Sequence, residues 1–222
     1  LTFQLSNDFH VRRVIRNYLP NDEESKHCAT LLQWDNIYYQ PPTDSYVEKR
    51  PTVRVGLVQW QMRPYKDIDD LFEQVEFFVD SVSDYKSDFV LFPEYFNAPL
   101  MSKFNDMGEA QSIRGLAQYT EKIRDRFVEL AISYNINIIT GSMPYVKEDG
   151  GLYNVGFLCR RDGSVDMYEK IHVTPDEQKS WGLSKGNRVQ TFDTDCGRIG
   201  VLICYDVEFP ELSRLMAEDG MQ

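Results

Sequence analysis

The chain has 222 residues, 42% of them hydrophobic and 13% aromatic, which supplies a core for one domain or for one domain and part of another. Twenty-four Lys and Arg against thirty-five Asp and Glu leave a net charge of −11, a field that repels phosphate backbones and anionic lipid, so nucleic acid and membrane are poor partners. No apolar run reaches the roughly eighteen residues of a membrane span, and no basic region followed by a short apolar stretch marks a secretory signal, so a cytoplasmic location is expected.

The first elements are two segments rich in β-branched and aromatic residues, "FHVRRVIRNYLP" and "ATLLQWDNIYYQ", with the loop "NDEESKHC" between them. Two strands cannot hold a core alone, and the polar, proline-bounded "PPTDSYVEKRP" (41–51) reads as a linker. Residues 1–40 are therefore expected to close a preceding domain, and 52–222 to form a second one.

There, "VRVGLVQW" (53–60) is a nearly continuous apolar run of the kind buried on both faces of a sheet. From Asp67 the residues Ile68, Leu71, Phe72, Val75, Phe78, Val79 and Val82 recur at helical spacing, with Asp67 as N-cap and Asp69 and Asp70 near the positive end of the dipole. "DFVLFPE" gives a second buried strand. A helix over about Thr120 to Tyr134 follows, and then "INIITGSMPYV" as one further strand. "YNVGFLCRRDGSVDMYEK" reads as a hairpin turning at Asp162-Gly163, and "RVQTFDT" pairs with "RIGVLICYD" through Asp195-Cys196-Gly197. Pro210 opens a last helix that Gly220 stops. Helices packed on a mixed sheet are implied, an α/β fold. The chain stops two residues after Gly220, where this pattern next calls for a strand, so a C-terminally incomplete domain is expected.

Chemistry concentrates at three strand ends. Cys204 closes an apolar strand before a loop and a helix, the place where ligands collect in open α/β sheets. A buried filler cysteine is the competing reading. A nucleophilic thiol needs a base and a group that stabilises the oxyanion. His172 is the only histidine in this part of the chain. Glu94, after "FVLFP", offers a desolvated carboxylate as an alternative base, and Lys170 ends "VDMYEK" as a cation. Each of the three alone is equally a solvated or packed residue, but the repeated placement would bring base, cation and nucleophile to one sheet edge. The cysteines at 28, 159, 196 and 204 form no C-x-x-C pair, which argues against zinc or a disulfide framework, and no cofactor or metal is assigned.

The blocks "FPEYF", "YEKIHVTPDE" and "GVLICYDVEFPELSR" together resemble the signature blocks of the nitrilase, or carbon–nitrogen hydrolase, superfamily over roughly residues 52–222. The resemblance implies a four-layer αββα sandwich, a small amide, carbamoyl or nitrile substrate, and a homodimer or larger assembly. It matches Glu94 to the general base, Lys170 to the oxyanion-stabilising lysine and Cys204 to the nucleophile. Glu177 corresponds to a second glutamate, with Asp176 as the competing assignment, and the backbone N–H of Tyr205 to a second oxyanion donor. Residues 1–40 resemble the closing strands of a GNAT-type acetyltransferase domain, as in fused acetyltransferase–nitrilase proteins. The implied activity is hydrolysis of a non-peptide carbon–nitrogen bond through a cysteine thioester. Two other functions stay open at this point: thiol-dependent acyl transfer to an amine, and a catalytically silent binding or assembly module.

Overall fold

The computed structural model describes residues 9–15, 23, 26–34 and 52–222. The chain divides into two units, Leu1–Arg50 and Pro51–Gln222. In the first, β1 (Phe9–Ile15) pairs antiparallel with β2 (Ala29–Trp34), with a bulge between Val11 and Arg13. The linker expected over 41–51 lies outside the described residues.

The second unit is built on a six-stranded mixed sheet. Its strands are β3 (Val55–Leu57), β4 (Phe89–Leu91), β5 (Asn137–Ile139), β6 (Met143–Val146), β7 (Leu152–Cys159) and β8 (Val165–Glu169). The order is β3-β4-β5-β7-β6, with β8 also paired to β7. β3, β4 and β5 run parallel, and the remaining pairings are antiparallel. Parallel neighbours need a crossover, and α1 (Ile68–Asp84) and α3 (Thr120–Ser133) supply the two. Asp67 caps α1 as expected, its Oδ1 accepting from the Asp69 and Asp70 amides at 3.0 and 3.1 Å.

Alternation along the strands sorts the core into two layers. Val90, Ile138, Val155 and Phe157 face α1 and α3, where Leu71, Val75, Val79, Ile123, Phe127 and Leu130 meet them around Phe92 and Phe96. Burying each such side chain contributes about 1.5–3 kcal/mol. Phe89, Ile139 and Leu158 face the other way, onto Phe192 and Ile199 of an antiparallel pair, β9 (Thr191–Thr194) and β10 (Gly197–Gly200). Beyond that pair lies α4 (Pro210–Glu218), whose Met216 sulfur would lie 2.5 Å from a Cβ placed on Gly200. Helix, sheet, sheet, helix is the αββα order, within an α/β fold.

Three segments differ from the sequence expectation. The run 136–146 is two strands rather than one, because Gly141, at φ 70°, breaks it where the chain passes the carbonyls of Phe92 and Pro93; an added Cβ would lie 2.1 Å from the Pro93 oxygen. The run 53–60, expected to be buried on both faces, forms only the short edge strand β3, whose Val55 and Leu57 are exposed; between β4 and α3 the chain also forms a 3₁₀ turn (Ala98–Phe104) and α2 (Glu109–Leu116). The strand expected to run from Arg198 to Asp206 leaves its ladder at Gly200, since β9 provides partners only as far as Thr191. Among the described residues no helix is long and apolar enough to cross a membrane.

Candidate active site

The end of β4 delivers the first group. The chain leaves the sheet through Phe92 and Pro93, and Glu94 then forms an isolated parallel bridge with Ser142, just before β6. Tyr95 N donates to Ser142 O at 2.7 Å, so Glu94 is held on both sides by backbone. Tyr95 itself sits at φ 54°, a left-handed conformation that costs a non-glycine residue about 1–3 kcal/mol.

Lys170 follows β8 directly. Its N–H donates to Asn154 O at 2.9 Å, its carbonyl accepts from Gly186 N at 2.8 Å, and the side chain is 1% exposed. An ammonium this buried needs acceptors. Nζ finds them in Glu94 Oε1 at 2.9 Å and in both oxygens of Glu177 at 2.8 and 2.9 Å. Burial works against the charge on Lys170, but the hydrogen bonds and charges of Glu177 and Glu94 prevail and hold its pKa above the ordinary lysine value.

Glu177 opens a single π-helical turn, Glu177–Trp181, closed by Gly182 in the left-handed region. Its Oε2 accepts from Thr174 N at 2.8 Å while its own N–H donates to Thr174 Oγ1 at 3.3 Å, a reciprocal lock on the carboxylate. The neighbouring Asp176 is exposed, and Glu177 is the residue of the two that meets Lys170.

Cys204 heads a 3₁₀ turn, Cys204–Glu208, at φ 46°. A cysteine in this conformation is strained, and the strain lifts it out of the core so that it is exposed while Cys159 is fully buried. Desolvation, then the hydrogen bond and charge of Glu94, raise the Cys204 pKa, with Lys170 acting in the opposite sense. The resting group at neutral pH is thus a thiol beside an acceptor.

A buried carboxylate joins the last two strand ends. Asp206, 1% exposed, accepts from His172 N at 2.7 Å, Ile171 N at 3.2 Å and Ile203 N at 3.4 Å, tying the residues after Lys170 to those before Cys204. His172 closes this clamp through Nδ1, 3.1 Å from Asp206 Oδ1, and lies flat on Phe209 at 3.5 Å between ring centres. Tyr205 packs its ring edge-on against Phe209.

The structure therefore brings Glu94, Lys170, Glu177 and Cys204 together, and gives His172 to the clamp. Tyr95 joins them: its Oη is buried without a partner, and burial followed by the charges of Glu177, Glu94 and Cys204 raises its pKa, so the phenol stays neutral. Trp181 meets its ring edge-on at 5.6 Å, whereas Trp60 belongs to the core with Phe78, Phe92 and Phe96. Asn154, which donates to Glu94 Oε1 at 2.8 Å, was missed by sequence reasoning; its signal is an amide within the apolar run "YNVGFLC". A cleft of about 200 Å³ runs from Glu94 and Cys204 along Ser142, Tyr168 and Leu202. Among the described residues no cluster of His, Cys, Asp or Glu could hold a metal ion.

A thiol, two carboxylates and a shared ammonium thus meet at one edge of an αββα sandwich. Residues 54–222 match the model of the family described as carbon–nitrogen hydrolase, and the chain belongs to that family. It is 43% identical over 221 residues to the probable hydrolase YhcX of Bacillus subtilis, covering 99% of this chain and 43% of that protein. It is 32% identical over 182 residues to human omega-amidase NIT2, covering 76% of this chain and 60% of the relative. The chain thus spans about half the length of these relatives. Saccharomyces cerevisiae Nit3, of the nitrilase superfamily, matches with a TM-score of 0.59 at 26% identity, over 76% of this chain and 61% of its own. A carbon–nitrogen hydrolase from Helicobacter pylori shares the fold, with a TM-score of 0.65 at 20% identity, over 76% and 57% of the two chains.

Proposed function

We propose that this chain carries the catalytic groups of an amidase, hydrolysing a small non-peptide amide through a thioester on Cys204. One observation carries the reading: Lys170 Nζ, 1% exposed, is shared at 2.8–2.9 Å between Glu94 and Glu177, and Glu94 and Cys204 line the same cleft. The family membership and the omega-amidase relative support an amide over a nitrile.

In this mechanism Cys204 Sγ attacks the carbonyl carbon as its proton passes to Glu94. Negative charge collects on the former carbonyl oxygen, where Lys170 and the backbone N–H of Tyr205 stabilise it. Collapse reforms the carbonyl and breaks the C–N bond, and Glu94 gives its proton to the leaving nitrogen. Ammonia or an amine departs, and the acyl group stays on sulfur. Glu94 then takes a proton from water as the water oxygen bonds to the acyl carbon; the C–S bond breaks and the thiol regains its proton. Glu177 keeps Lys170 in place between the two steps. Each proton transfer contributes on the order of 10²–10⁴-fold.

The test is ammonia release from a series of small amides by the complete protein, with intact-mass detection of an acyl adduct on Cys204. Release and adduct in the wild type, with both lost in Cys204→Ala and release lost in Glu94→Gln, is the expected result. Undiminished release by Cys204→Ala would overturn the assignment.

A further inference from the structure

Asn154 has no part in the bond-making steps above, yet it holds the group that moves the protons. It lies in β7, 1% exposed, in a strand whose neighbours are apolar. Its Nδ2 donates at 2.8 Å to Glu94 Oε1, the same oxygen that accepts from Lys170 Nζ at 2.9 Å. Its backbone carbonyl accepts from Lys170 N at 2.9 Å. One residue thus fixes both the carboxylate and the strand end that carries the cation. Its Oδ1, meanwhile, is buried with no partner. A half-satisfied amide in the interior is costly, so the one hydrogen bond it does make asks for a reason. Its orientation is dictated by Glu94, because a carboxylate oxygen accepts and can face only the N–H side of an amide.

We propose that Asn154 is a positioning residue for Glu94: together with Lys170 it occupies Oε1 and turns the carboxylate so that Oε2 receives the proton of Cys204 and later of water. The inference rests on Glu94 being the base. The charged and titratable groups around Glu94 are Lys170 after β8, Glu177 in the π turn, Tyr95 beside it in the chain, and Cys204. Lys170 divides its hydrogen bonds between two carboxylates, so Asn154 is the donor committed to Glu94 alone. A hydrogen bond to the ionised form favours that form, and removing it favours protonation.

The experiment follows iodoacetamide modification of Cys204, resolved by peptide mass, from about pH 4 to about pH 10 in the complete protein. In the wild type, a plateau at neutral pH reports Glu94 accepting the thiol proton during attack, and a second rise at higher pH follows thiol ionisation. Glu94→Gln removes the plateau. Asn154→Leu keeps it but lowers its height about tenfold, the size expected for a lost charge-assisted hydrogen bond, and leaves the high-pH rise in place. Asn154→Ala, which adds neither charge nor bulk, decides the matter if the leucine variant fails to fold. A plateau missing from the wild type, or surviving in Glu94→Gln, overturns the base assignment and this inference with it. A plateau abolished by Glu94→Gln but undiminished in the Asn154 variants, or one lowered together with the high-pH rise, overturns the role of Asn154 alone.

Discussion

Replacing Lys170 by methionine removes a cation and leaves an apolar chain of similar length, which isolates the charge from the packing. Its effect should fall mainly on Glu177, whose side chain is 8% exposed, rather than on Glu94 at 22%. Without Nζ, Glu177 keeps the Thr174 amide and Glu94 keeps Asn154, each at 2.8 Å. Breaking a buried pair by removing one partner costs about 3–5 kcal/mol, and Lys170→Met is expected in that range. Glu177→Gln, which leaves Lys170 bonded to Glu94, should cost less, about 1–3 kcal/mol. The double variant buries no unpaired charge at position 177, so it should be more stable than the sum of the two losses implies by about 2 kcal/mol or more. Urea midpoints of the complete protein at constant slope measure all three. The pH dependence follows from the sign of the Lys170 shift. Its folded pKa is raised, so its contribution is complete below the unfolded value of about 10.4 and is lost as pH rises through the folded one. The gap between wild type and Lys170→Met should therefore stay level from about pH 7 to about pH 9 and narrow only above about pH 10.4. Additivity within about 0.5 kcal/mol, or a gap that narrows already near neutrality, would refute the claim that the shared ammonium holds the site together.

Two further predictions concern the groups on either side of that ammonium. Glu94→Gln deletes a negative charge that raises the Cys204 pKa, so the high-pH rise in Cys204 alkylation should move to lower pH even as amide hydrolysis is lost; a rise that moves up would show that Glu94 does not face the thiol. Gly141→Ala demands a left-handed alanine whose Cβ would sit 2.1 Å from Pro93 O, and it should destabilise the fold by more than the about 1–2 kcal/mol of the conformation alone, read as a drop in urea midpoint.

How much of this was legible in the sequence depended on whether a local pattern existed. The helix after Asp67 was readable because one stripe of apolar residues and one cap specify it without reference to the rest of the chain. The positions of Glu94 and Lys170 were readable because each closely follows a strand, whereas Cys204 lies four residues beyond β10 at the head of a 3₁₀ turn. The break at Gly141 was not, since its cause is the approach of Phe92 and Pro93, some fifty residues away in sequence, and "ITGSM" read alone continues a strand as well as it turns. The π turn around Glu177 was hidden for a related reason: its ordering depends on Thr174 and on an ammonium brought from the end of β8.

The same distinction explains why Glu94 and Lys170 could be named as candidates while their supports could not. Glu94 and Lys170 are unusual in kind, charged groups beside apolar runs. Asn154 and Asp206 are unusual only in company: one is an amide whose N–H meets a particular carboxylate oxygen, the other a carboxylate that gathers three backbone amides from two strand ends. Both lie within 1% exposure, where an unpaired polar group is costly. A charge at a strand end thus singles out a candidate by itself, whereas a polar residue inside an apolar strand signals only that some other group is held there. Asn154 in "YNVGFLC" is that second kind of signal, and it becomes informative once the carboxylate it serves is known.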